Sequence, residues 1–188
     1  MRRANSDDYA FINHIASKCG LEPLSEDILD SAIVYIGEHG YFLLDVQDMT
    51  NAIAHVVMLK QGRGAWAEGA LKAFLDLVFT STRIDRINIA VPSAYRQVRR
   101  FAADGGFRLV HKTDAYAFMD MDIMRWMCVS DACLANGSSA SSDFVLADQE
   151  MVKRVTGACA MMHESGMEHK AWYIYKLYAK LFGYRVED

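Results

Sequence analysis

The chain has 188 residues, 52% hydrophobic and 23% charged, a globular composition at a length that suits one domain, or one domain with an appendage. Two prolines and one short serine-rich stretch exclude a disordered chain, and a net charge of −4 leaves no overall basic field for nucleic acid. No apolar run approaches the roughly 18 residues of a membrane span, the basic start lacks the apolar segment of a signal peptide, and four scattered cysteines read as free thiols in a reducing compartment.

From the N-terminus, Asn5 or Ser6 caps a helix whose apolar positions are Tyr9, Ile12, Ile15 and Ala16, and Gly20 ends it. Ser25, Glu26 and Asp27 open a second, short helix. Three strands follow, Ile33–Ile36, Tyr41–Val46 and Ala52–Leu59, separated by the turns Gly37–Gly40 and Asp48–Asn51. Tight turns between short strands predict an antiparallel meander. Gln61-Gly62-Arg63-Gly64 breaks the pattern and opens a helix with Ala67, Leu71, Phe74, Leu75 and Val78 on its apolar face. Residues 86–91 read as a strand. Ser93 is the expected cap of the helix through Tyr95, Val98 and Phe101, and Gly105-Gly106 ends it. Phe107–His111 and Tyr116–Met121 are the last two strands. The stretch Asn136–Ser142 reads as a linker. Beyond it, one helix runs from an Asp148 cap to about His163 and a second from Lys170 to Phe182. The pair is too small to bury itself and needs a surface to pack on.

The order helix, helix, meander, glycine loop with helix, strand, helix, two strands resembles the Gcn5-related N-acetyltransferase (GNAT) family, through Gln61–Val110 above all. That family's loop is Gln or Arg, two residues, Gly, one residue, then Gly or Ala, and its later signature is a helix ending in Gly-Phe, here Gly106-Phe107. The resemblance implies a mixed α+β fold: a twisted, mostly antiparallel sheet flanked by helices over residues 1–127. A linker, 128–147, and a helical hairpin appendage, 148–188, follow it. It implies acetyl-CoA as the ligand, with Gln61, Gly62, Arg63, Gly64 and Ala65 around its phosphates and Val57 and Met58 of the preceding strand beside its pantetheine. Glycines let backbone N–H groups approach a pyrophosphate, and a helix N-terminus adds a favourable field.

Two departures carry the functional expectation. Trp66 stands where the family has a small residue, so an indole is expected to obstruct the phosphates. Ala102 stands where the family often has a Tyr acid, and Phe101 has no hydroxyl to replace it. Together with a resemblance to divergent acetyltransferase-like proteins of tailed phages, they predict a degenerate site without a cofactor. The chain would then be a structural or assembly component of a virion, in the host cytoplasm or the particle, partnered by other protein subunits in an oligomer. The alternative is an active acetyl-CoA-dependent N-acetyltransferase. Its candidate base is His55, since an imidazole suits proton removal near neutral pH; a hydrogen-bonded strand histidine is the other reading, and Asp45 and Asp48 are further candidates.

Cys128 and Cys133, with Cys159, His163 and His169 downstream, lack the short paired spacing of a zinc site, and buried thiols account for them, so no metal is expected. Trp172, Tyr175, Tyr178 and Phe182 recur at helical spacing. They form either an internal packing face or a docking face for another subunit, with Trp172, Tyr175 and Tyr178 as the partner-binding residues. Arg96, Arg99 and Arg100 form a local basic patch without interleaved aromatics, so nucleic acid is not an expected partner.

Overall fold

A computed structural model of the protein describes residues 1–137 and 149–181. They form two compact units, one of residues 1–75 and 84–121, the other of residues 76–83 and the described residues from 122 onward.

The first unit holds a seven-stranded sheet in the order β1-β2-β3-β4-β5-β7-β6. The strands are β1 (Arg2–Arg3), β2 (Ile33–Gly37), β3 (Gly40–Val46), β4 (Asn51–Met58), β5 (Arg86–Pro92), β6 (Arg108–Lys112) and β7 (Tyr116–Asp122). The pairs β1·β2, β2·β3, β3·β4 and β6·β7 are antiparallel, and β4·β5 is parallel. This is the mixed, mostly antiparallel sheet the sequence predicts. Period-two alternation gives the sheet two buried faces. Val34, Ile36, Tyr41 and Leu43 cluster with Ile12 and Ile15 of α1 (Tyr9–Lys18) and Leu29 of α2 (Glu26–Ser31). On the opposite face, Tyr35 and Phe42 meet Phe74 of α3 (Ala65–Ser81), edge-on at 5.7 Å and stacked at 4.5 Å.

The caps match the residue chemistry in part. The Asn5 side chain accepts from Asp7 N, and the Ser25 hydroxyl from Ile28 N. Arg2 binds the Asp8 carboxylate at 2.6 Å; its guanidinium hydrogen bond first, and the Asn5 N–H second, hold that carboxyl down at about 2. Ser93 does not cap α4 (Arg96–Asp104). Its hydroxyl donates to Thr113 O and its N–H to Ala115 O, so it ties the end of β5 to the β6–β7 turn. The Gly106-Phe107 pair is a helix stop: Gly106 takes φ +98°, Phe107 N donates to Ala102 O, and the Phe107 side chain is buried.

The second unit is helical: α5 (Ile123–Val129), α6 (Asp131–Asn136), α7 (Gln149–Glu164) and α8 (Glu168–Leu181), with the last turns of α3. The segment 128–147, expected as a linker, is therefore helical in its first part. Ser138–Ser142, Asp148 and Phe182 lie outside the described residues. The Asp76 carboxylate accepts from Trp126 Nε1 at 2.8 Å and from the Ser130 hydroxyl at 3.0 Å. Gly157 lets α7 close on α6, because a Cβ there would lie 1.8 Å from the Cys133 carbonyl. Tyr178 is buried, so it is a packing residue and not the partner contact expected of it.

Candidate functional site

Backbone pairing in β4 sets up the site. In the β3·β4 ladder, Asn51 O accepts from Gln47 N, and past the strand end Leu59 N donates to His39 O. The register Leu43↔His55 and Tyr41↔Val57 continues that alternation. The peptide groups of Ile53, His55 and Val57 therefore face β3, while those of Ala52, Ala54, Val56 and Met58 face the other way. On that other side β5 pairs only with Asn51, Ala52 and Ile53. Beyond Ile53 the two parallel strands part, and β4 presents N–H and C=O groups of Ala54 and Val56 to the opening. Of the two strand residues expected beside a pantetheine, Met58 turns its peptide groups this way and Val57 turns them to β3. The Met58 carbonyl accepts from Cys19 Sγ at 3.5 Å.

The glycine loop follows directly. Lys60–Gly62 form a single 3₁₀ turn, with Gly62 N and Arg63 N donating back to Leu59 O and Lys60 O. Gly64 takes φ +86°, and a Cβ placed on it would meet nothing within 4 Å. Its carbonyl accepts from Glu68 N, the first helical bond of α3. The N–H groups of Ala65, Trp66 and Ala67 precede that bond and have no partner within the helix. Gln61, Arg63, Gly64 and Ala65 are exposed, and Gly62 is buried. A positive helix end, an open glycine and the Arg63 cation fit a pyrophosphate, with Glu68 in the same turn opposing it.

Trp66 does not lie over this end. Its ring reaches back to the β2–β3 turn, where a Cβ on Gly37 would stand 2.9 Å from Trp66 Cζ2, and it tilts against His39 at 5.1 Å between ring centroids. The expected obstruction is replaced by a packed contact with Gly37, His39 and Gly62. Neither this contact nor the parting of β4 from β5 was foreseen. The pair Gly37 and Gly62 was the available signal, since both are small where the indole lands.

His55 is exposed, opposite Leu43 and so on the sheet face that carries α1 and α2, away from α3. Its side chain has no hydrogen-bond partner among the described residues. Asp45, opposite Ile53, shares that face. Asp48 is engaged otherwise: it accepts from Thr50 N and Asn51 N and from the Asn51 side chain, bonds that hold its carboxyl below the usual range. Ala102 is buried in α4, while Tyr95 and Tyr116 are exposed. Among the described residues no three His, Cys, Asp or Glu side chains are grouped to hold a metal ion. Burial pushes the Cys133 thiol up to about 12 and that of Cys159 to about 11. No helix among the described residues is long and apolar enough to cross a membrane.

No protein-family model matches the sequence, and no curated protein matches it. Solved structures do resemble the fold. Mutant forms of the spermidine/spermine N-acetyltransferase SpeG from Vibrio cholerae align at 14% identity over 69% of this chain and 96% of theirs, with a TM-score of 0.57. A dodecameric structure of the same organism's spermidine N-acetyltransferase aligns at 16% identity over 66% and 94%, with a TM-score of 0.54. A chimera of the Vibrio enzyme and hSSAT aligns at 15% identity over 67% and 98%, with a TM-score of 0.54. The chain has the GNAT fold. The expectation of a degenerate structural part of a phage particle is overturned, because the structures that share the fold are acetyltransferases and nothing in them points to a virion.

Proposed function

We propose that the protein is an N-acetyltransferase that moves an acetyl group from acetyl-CoA to an amine. The observation that carries this reading is the parting of β4 from β5 after Ile53, directly before a glycine-opened helix N-terminus. An extended pantetheine can pair with Ala54 and Val56 as a missing strand would, and the pyrophosphate can meet Gly64, Ala65 and Arg63. Gln61 and Met58 border the same path, with Gly62 and Val57 as its packed side.

Acetyl-CoA supplies an acetyl group already activated as a thioester. The chain orients it and removes a proton from the acceptor. His55 is the base: an exposed imidazole on the face opposite α3 can accept the proton of an incoming ammonium. Asp45, on the same face, can hold the cation before it is deprotonated. Ala102 provides no acid, and a thiolate leaving group does not require one. Exposed Glu22, Glu26 and Asp27, in a stretch from Gly20 to Ser31 without a basic residue, favour a cationic acceptor. Spermidine, the substrate named for the structures above, is therefore the first amine to test.

The test is acetyl transfer to a panel of amines. His55→Gln is expected to lower kcat by about 10²–10³-fold while leaving acetyl-CoA binding intact. Absence of transfer to any amine by a protein that binds acetyl-CoA would reject the reading. For partners, we propose self-association through α8, where Trp172 and Tyr175 are exposed and stacked at 5.6 Å. The dodecameric neighbour supports an oligomer.

A further inference from the structure

Trp66 fills the place where the fold's loop pattern asks for a small residue, yet the indole points away from the open helix end. Its surroundings are specific. A Cβ on Gly37 would lie 2.9 Å from Trp66 Cζ2 and 3.4 Å from Cη2. A Cβ on Gly62 would lie 3.2 Å from Trp66 Cε3, 2.6 Å from the His39 Cβ and 3.0 Å from Met58 Cγ. The His39 ring completes the contact at 5.1 Å. One indole, from the first turn of α3, is thus held between two glycines and an imidazole that belong to two other segments, the β2–β3 turn and the loop.

We propose that Trp66 is a positioning residue that clamps the Gly62–Gly64 loop to the β2–β3 turn and so sets the affinity for the coenzyme A pyrophosphate; this rests on the acetyl-CoA reading above. The loop's own bonds are weak restraints. It has one 3₁₀ turn, then Arg63 in extended backbone and Gly64 at positive φ, a conformation glycine leaves easily. The helix-end N–H groups bind an anion well only if they are already aimed, since ordering them on binding costs affinity. The indole supplies that order. It is anchored to a β-turn whose strands pair along their full length, from Ile33↔Leu44 to Gly37↔Gly40. The two glycines are the complement of the indole. Gly37 leaves the space the ring occupies, and Gly62 lets the loop come down onto the ring and onto His39.

The experiment combines amide exchange of the unliganded protein with titration of acetyl-CoA. Trp66→Ala should raise exchange in residues 60–67 and 37–39 while the β3·β4 ladder stays protected. Gly37→Ala, which drives a methyl into the ring, should weaken acetyl-CoA binding by about tenfold. In Gly37→Ala with Trp66→Leu the smaller side chain should recover most of that loss. KM for acetyl-CoA should follow these losses and the recovery, with kcat at saturation unchanged. Unchanged exchange in Trp66→Ala, or acetyl-CoA affinity equal to or better than that of the unmodified protein in Trp66→Leu, would overturn the inference alone. No acetyl-CoA binding by the unmodified protein would overturn the acetyl-CoA reading and the ligand half of this inference with it.

Discussion

Among single residues, the cysteines show how environment divides one side-chain type. Cys133 is fully buried with its thiol pushed up to about 12, and Cys159, bonded to Ala171 O at 3.3 Å, stands at about 11. Desolvation is the first cause for both, and it disfavours the thiolate that reacts. Cys19 and Cys128 are exposed. A thiol-alkylating reagent at pH 8 is therefore expected to label two cysteines quickly and two only after unfolding, counted by mass spectrometry. The sign for stability follows. A thiol raised in the folded state costs nothing below its unfolded value near 9, and stability falls as pH climbs from there toward 11–12. His55 shows what sequence could and could not supply. Its strand was legible from the apolar run around it. Which face it shares with α1 depends on the register Leu43↔His55, and no local pattern encodes that pairing.

At the level of elements, two helical glycines make the same substitution act in opposite directions. Gly69 lies in α3 with nothing within 4 Å of a placed Cβ, so Gly69→Ala adds helix propensity and should stabilise by about 0.5–1 kcal/mol. Gly157 lies in α7 with the Cys133 carbonyl 1.8 Å from a placed Cβ, and a backbone oxygen cannot rotate aside. Gly157→Ala should cost about 3 kcal/mol by overpacking, and α6 and α7 would have to separate. Thermal unfolding should show a small rise for the first and a fall of roughly 6–12 °C for the second. Equal and small effects in both would mean that α7 does not close on α6 this tightly. Composition treats the two glycines alike, and only the crossing of helices separates them. The strands were legible because alternation and turn residues are local signals. α5 and α6 were missed because their seven and six residues are too few for helical periodicity to stand out.

For the molecule as a whole, the element order from the first helix to the last strand could be read from sequence, and the organisation into units could not. The Asp76 carboxylate meets Trp126 and Ser130 across separations of 50 and 54 residues, and such contacts leave no trace in spacing. They explain why the helical pair is not an isolated appendage: α7 and α8 share a unit with α5, α6 and the end of α3, with Ile174 and Tyr178 buried inside it. That burial sharpens the association prediction. Trp172, Tyr173 and Tyr175 are 48%, 59% and 38% exposed, while Tyr178 is 7%. The Trp172–Tyr175 stack is nearly parallel at 10°, and the Lys176 ammonium sits 5.2 Å from the indole centroid, so the rings already pack on one another without a partner. Aromatics already packed lose little entropy on binding, and Trp and Tyr dominate interface hot spots. Sedimentation of the full chain is expected to show self-association, and Trp172→Ser with Tyr175→Ser should raise the dissociation constant by roughly 1,000-fold, at roughly 2 kcal/mol for each anchor. Tyr178→Ala should instead lower the melting temperature, because it opens a cavity within the unit. Association of the double variant as tight as that of the unmodified chain would place the contact on another surface and leave the α8 aromatics without a role in assembly.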